Sequence, residues 1–140
     1  MKNSSGLSKN IIRLKEITPL LSFVLEDKKC NNCIKYKLKI GSCTGYYLYN
    51  DNKIAIQRAF ITKGSEFPKH THKDEKEWLI ICNGHIIIEF ESGESLNLNE
   101  GDFCFVEKGI PHWMIAKEDT WIVGITVPAD RGYPNDRNTK

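Results

Sequence analysis

From Ile34 onward, short apolar runs alternate with turn residues at roughly ten-residue spacing. Gly64, Pro68, Asn83-Gly84, Ser92-Gly93, Gly101, Gly109 and Pro111 mark the breaks. Within several runs apolar and polar positions alternate with the period of two that a half-buried strand requires. Lys35-Tyr36-Lys37-Leu38-Lys39-Ile40 is the most regular case, and its row of lysines suits an exposed edge strand. Tyr46 to Tyr49, the turn Asn50-Asp51-Asn52 and Lys53 to Thr62 read as a hairpin, and Trp121 to Val127 as the last strand. Regular short strands with turn signals predict an all-β sandwich or barrel.

The first thirty residues follow a different period. Ile11, Ile12, Leu14 and Ile17 recur at helical spacing, and Thr18-Pro19 is a helix cap followed by a first-turn proline. Leu20, Leu21, Phe23, Val24 and Leu25 continue as a second short apolar helix. The expected layout is an N-terminal helical segment over 1–33, holding one or two short helices, then a β-barrel over 34–128. A polar tail over 129–140 follows. Two short helices are too few for a helix-turn-helix domain beside the barrel.

Composition narrows the partners. A chain of 140 residues is one domain by length and can bury a core without staples. Its 20 basic residues are scattered among 18 acidic ones, so a nucleic-acid partner is not expected. The lysines at 28, 29, 35, 37 and 39 read as a solvated face. Pro19 to Leu25 and Trp78 to Cys82 are too short to span a bilayer, so no membrane partner is expected. Five cysteines, an odd number without a signal peptide before them, predict a cytoplasmic protein with reduced thiols.

The chemistry gathers on histidines. His70 and His72 lie two residues apart, which on a strand puts both imidazoles on one side. A carboxylate close behind, Glu75 or Glu77, and His112 from a later segment can converge with them on one divalent ion. Such a set suits iron, manganese, nickel, copper or zinc and leaves two positions of an octahedral ion open. His85 differs: it shares a strand face with Glu89 and Glu91, opposite Ile86, Ile88 and Phe90, and is placed on a wet surface.

At these residues the chain resembles the cupins, small β-barrels of jelly-roll type. Gly64, His70, His72, Glu77 and Gly84 match their first motif, G-x5-H-x-H-x3/4-E-x6-G. Gly101, Gly109 and His112 match the second, G-x5-P-x-G-x2-H-x3-N, in which Glu107 replaces the proline and Ala116 the asparagine. The resemblance implies that His70, His72, Glu77 and His112 bind a divalent metal, since Glu77 meets the family spacing and Glu75 does not. Fe(II) is favoured, with Mn, Ni, Cu or Zn as alternatives. It further implies a small-molecule metalloenzyme of dioxygenase, isomerase or lyase type. The alternative is a non-catalytic module that senses or binds a small ligand or redox state. Barrels of this family commonly pair, so a homodimer is expected.

If Glu77 points inward, Leu79 and Ile81 do too, and Trp78, Ile80 and Cys82 form an apolar outward row. The N-terminal helices or a second subunit would cover it. Gln57 and Arg58 point to opposite sides, and whichever faces inward can hold a substrate carboxylate or hydroxyl. Phe60, Phe105, Trp113 and Cys104 are further pocket candidates. Cys30 and Cys33 have the spacing of a redox pair or half a zinc site, with Cys43 nearby. A second such pair is missing, which favours a structural or incidental role.

Overall fold

The computed structural model describes residues 33–129. The chain divides into two units, Met1–Asn31 and Asn32–Lys140. The predicted N-terminal helices, Cys30 and the tail from residue 130 lie outside the described residues.

Among the described residues there are nine strands and no helix. They are β1 (Cys33–Tyr36), β2 (Cys43–Asn50), β3 (Ala55–Ile61), β4 (Lys76–Asn83) and β5 (His85–Phe90). β6 (Ser95–Asn99), β7 (Phe103–Val106), β8 (His112–Ala116) and β9 (Thr120–Val127) complete the set. A six-stranded sheet runs β1-β2-β3-β9-β4-β7 and a three-stranded sheet runs β6-β5-β8. The fold is all-β, as the strand pattern predicts. No helix among the described residues is long and apolar enough to cross a membrane.

The predicted hairpin is β2 and β3, and its turn is fixed by Asp51, whose Oδ1 accepts the Lys53 and Ile54 N–H groups at 2.7 and 2.9 Å. β1 is shorter than the lysine alternation predicts. It pairs with β2 only as far as Tyr36, after which the Lys39 and Ile40 N–H groups turn to the Glu66 carbonyl. The partner changes, so the strand ends.

Side-chain alternation builds the core between the sheets. Ile61 of β3, Leu79 and Ile81 of β4, and Ile86 and Ile88 of β5 are almost completely buried. Trp78, Ile80 and Cys82 face the other way and are half-buried. On the edge strand β7, Phe103 and Phe105 are 60% and 41% exposed.

The smaller sheet is extended by residues 64–72, which run along β8 without forming a regular strand. Gly64 N–H reaches the Ala116 carbonyl at 2.8 Å and Phe67 N–H the Met114 carbonyl at 2.9 Å. His70 and His112 exchange backbone bonds at 2.9 and 3.0 Å. Pro68 has no N–H to give and interrupts the ladder between them. His70 and His72 therefore stand on an extended segment, not on the regular strand their spacing predicts.

Candidate metal centre

Three elements bring the histidines and Glu77 together. Residues 64–72 carry His70 and His72, the start of β4 carries Glu77, and the start of β8 carries His112. The backbone exchange between His70 and His112 sets those two side by side, with ring centroids 4.2 Å apart. Gly109, at φ +80°, turns the loop before β8 so that its N–H meets the His72 carbonyl at 2.7 Å. That bond ties the second histidine to the loop that delivers the third.

One donor atom from each of His70, His72, Glu77 and His112 lies within 4.8 Å of all the others. Glu77 Oε1 is 3.3 Å from both His72 Nε2 and His112 Nε2. Neighbouring donors on an ion about 2.1 Å from each sit roughly 3 Å apart, so this spacing fits a shared cation. The three imidazoles are buried. His70 Nδ1 donates to the Pro68 carbonyl and His112 Nδ1 to the Ile110 carbonyl, both at 2.8 Å. In each case the acceptor lies two residues before the ring, and the bond leaves Nε2 aimed at the cluster. Outer hydrogen bonds of this kind fix the tautomer of a metal-binding histidine.

The electrostatics agree with the donor set. Burial, reinforced by the charge of His112, pushes His70 down to about 3, so its ring is held neutral with a lone pair to give. Burial alone would raise the Glu77 carboxyl. The charge on His72 and hydrogen bonds from His112 and His72 outweigh it and hold the group well below the usual carboxylate range. With Nδ1 engaged at the Ile110 carbonyl, His112 Nε2 faces Glu77 Oε1 at 3.3 Å, and a divalent cation between those atoms would take the place of that contact. The cluster can hold a divalent metal.

A cavity of about 40 Å³ opens on His70 and Glu77. Its walls include Phe67, Leu79 and Met114, with Tyr36 and Gln57 as polar members. Of the pair Gln57 and Arg58, it is Gln57 that lines this space. Arg58 is on the opposite face of the sheet, its guanidinium 4.8 Å from the Trp121 ring, which corrects its assignment to the pocket. Phe60 is corrected likewise: it pairs with Trp121 across β3 and β9 and stacks on it at 4.8 Å. Phe105 stacks on Trp78 outside the barrel. Trp113 alternates with the buried His112 and Met114 and stays half-buried on the other side of β8. Cys104 is buried opposite Leu79 and is not among the cavity-lining residues.

His85 takes no part in the cluster; its Nε2 meets Asn97 Oδ1 at 2.7 Å on the neighbouring strand. Tyr36 and Met114 also line the cavity and are not among the pocket candidates of the sequence. The signal for Tyr36 was the apolar row of the lysine alternation, which faces inward. For Met114 it was the position two residues beyond His112 on the same strand face. Cys43, Cys82 and Cys104 are free thiols, and the side chain of Cys33 lies outside the described set. A larger groove of about 610 Å³ lies at Phe90, Ile110 and Pro111 and includes none of the four donors.

Two facing antiparallel sheets with three histidines and a glutamate between them define a jelly-roll protein with a possible metal site. A family model described as the cupin domain matches residues 58–127, half of the chain, and the chain belongs to that family. Among solved structures, it is similar to a predicted oxalate decarboxylase from Thermotoga maritima, with a TM-score of 0.63 at 19% identity. That match covers 70% of this chain and 93% of the other. Ectoine synthase from P. lautus gives 0.64 at 16% identity, covering 84% and 77%. KdgF from Halomonas sp. gives 0.61 at 17% identity, covering 69% and 89%. At these identities the likeness is one of fold. No curated protein matches the chain.

Proposed function

We propose that this protein is a metal-dependent enzyme acting on a small molecule, with dioxygenase-type chemistry first and isomerase or lyase chemistry second. The observation that carries the reading is the convergence of four donors, three of them buried imidazoles, on one point that opens into a cavity. His70, His72, Glu77 and His112 would hold the ion, and a set of three imidazoles and one carboxylate favours Fe(II), with manganese next. A divalent ion held there supplies Lewis acidity toward an oxygen donor and, if redox-active, electron exchange with dioxygen.

The chain's own part is positioning. The carbonyls of Pro68 and Ile110 orient two rings, Glu77 offsets charge, and the apolar walls exclude bulk water from the reacting groups. A binding or sensing module is the second reading. It is favoured by one observation: among the described cavity-lining residues, Glu77 is the sole carboxylate and His70 the sole imidazole, so no separate acid–base pair stands beside the ligands.

The experiment is purification without chelator, metal analysis by mass spectrometry, then oxygen uptake against a thiol, catechol and keto-acid panel. Turnover supports the enzyme, ligand binding without consumption supports the sensor, and absence of any divalent ion overturns both. We also propose a homodimer, supported by the exposed Phe103 and Phe105 beside Trp78 on the outer face. Sedimentation at the mass of a single chain would overturn that part.

A further inference from the structure

The cavity beside the cluster has its own chemistry. Its walls are mostly hydrocarbon, and no lysine or arginine is among the described residues that line it. The nearest arginine in sequence, Arg58, lies over Trp121 on the far side of the sheet. Cys43 also lines the space, and burial holds its thiol protonated, so it acts as a small apolar wall. Apart from the metal-binding side chains, Tyr36 and Gln57 supply the hydrogen-bonding groups.

Those two side chains form one device. The Tyr36 phenol donates to the Gln57 carbonyl oxygen across β1 and β3. Gly45, on the strand between them, leaves the room: a Cβ there would stand 2.8 Å from Gln57 Oε1 and 3.0 Å from Tyr36 Cε2. Both side chains line the cavity, and between them a phenol and an amide can give and take a hydrogen bond. A hydroxyl answers both, because it gives and takes a hydrogen bond. A methyl group answers neither, and a carboxylate can only accept.

Charge and size set two more limits. A divalent ion with the Glu77 carboxylate leaves one positive charge, which a single carboxylate on the ligand neutralises. A second negative charge would lie among apolar walls with no cation to meet it, at a large desolvation cost. A buried water needs roughly 10–15 Å³ of such volume, so about 40 Å³ admits about three or four non-hydrogen atoms beyond a carboxylate held at the ion.

We propose that Tyr36 and Gln57 are specificity-determining residues, and that the site takes a short-chain oxygenated ligand bearing a hydroxyl and at most one negative charge. This rests on the metal reading above.

The test is calorimetric titration of the Mn(II)-loaded protein with 3-hydroxypropionate, butyrate and succinate, with metal content and melting temperature measured on every variant. 3-Hydroxypropionate and butyrate differ by a hydroxyl in place of a methyl, while succinate adds a second charge. The expected order is 3-hydroxypropionate about tenfold tighter than butyrate, with succinate weakest. Tyr36→Phe and Gln57→Leu erase the tenfold preference and leave butyrate affinity where it was. Gly124→Ala adds a methyl at ordinary contact, 3.7 Å from Gln57 Cγ and Leu79 Cδ2, and so narrows the cavity without displacing its walls. It weakens both monocarboxylates severalfold while metal content holds. A preference that survives both Tyr36→Phe and Gln57→Leu overturns the proposal, as does succinate binding tightest or Gly124→Ala binding like the wild type. Wild-type protein that takes up no divalent ion overturns the metal reading itself, a result read from metal content before any ligand is added.

Discussion

The two faces of the six-stranded sheet are made by the same strands and do different work. On β3, Gln57 looks into the cavity while Arg58, one residue on, lies against Trp121 outside. On β4, Glu77 joins the donor cluster while Trp78 stacks on Phe105. The inner face is small, largely apolar and chemically armed. The outer face is broad and aromatic, with one buried guanidinium. Period-two alternation divides them, so a shift of one residue in either strand would exchange chemistry for packing. The lesson is that function here depends on register before it depends on residue type.

The hardest break in this comparison is on the inner side. His112→Ala removes one donor and the ring that Glu77 faces, and metal content should fall at least tenfold while the β-fold persists, because the core is apolar. Trp78→Ala, on the next residue outward from Glu77, should leave metal content unchanged. Mass-spectrometric metal analysis with far-ultraviolet circular dichroism reads both, and equal metal content in His112→Ala would mean the ion sits elsewhere.

A second break uses acid on the metal-free protein. Burial and the charge of His112 hold His70 down to about 3, against an unfolded value near 6.5. The unfolded chain therefore binds a proton that the native ring refuses, and His70's share of stability is present above about pH 6.5. It is lost progressively as pH falls from there toward 3. Melting temperature should drop across that window, and His70→Gln should flatten the drop. An unchanged slope in His70→Gln would assign the acid sensitivity to other groups.

How much of this was readable in advance follows the same division. The donor set was legible through the family resemblance, which supplies His-x-His, a glutamate at the motif's interval and a later histidine after a glycine; spacing alone left Glu75 and Glu77 open. The inward run Leu79 and Ile81 followed from Glu77 by parity. Gln57 and Arg58 could not be separated, since both are polar and the strand start is blurred by the irregular pairing between Tyr47 and Tyr49 on β2. Phe60 was misplaced because apolar bulk does not tell inside from outside on a sheet whose outer face also carries buried apolar side chains such as Trp121 and Val123. Tyr36 hid among lysines that advertised an exposed edge, although its own strand face points to the cavity. The turn of chain from β1 toward Glu66 was invisible, because it rests on a backbone pairing between distant segments.

On the outer face the effects should be smaller. Arg58→Met keeps an apolar stem and removes the cation over Trp121, at about 1–2 kcal/mol of stability by chemical denaturation. Metal content should not move. If it fell, the outer face would be coupled to the centre through β3, and the separation drawn above would fail.

The smallest effect belongs to the one described histidine outside the cluster. His85 sits at the start of β5, half-buried, and its ring bonds to Asn97 on β6 in the smaller sheet. The backbone N–H of His85 reaches Thr120 Oγ1 at 3.1 Å, and that bond does not depend on the imidazole. His85→Ala thus removes one partly exposed side-chain hydrogen bond, about 0.5–1 kcal/mol, and no metal donor. Metal content and the Mn(II) titration should match the wild type within error, and the melting temperature should fall by a few degrees at most. Loss of metal in His85→Ala would require β5 to be displaced by one residue, placing Ile86 and Ile88 outside, against their complete burial.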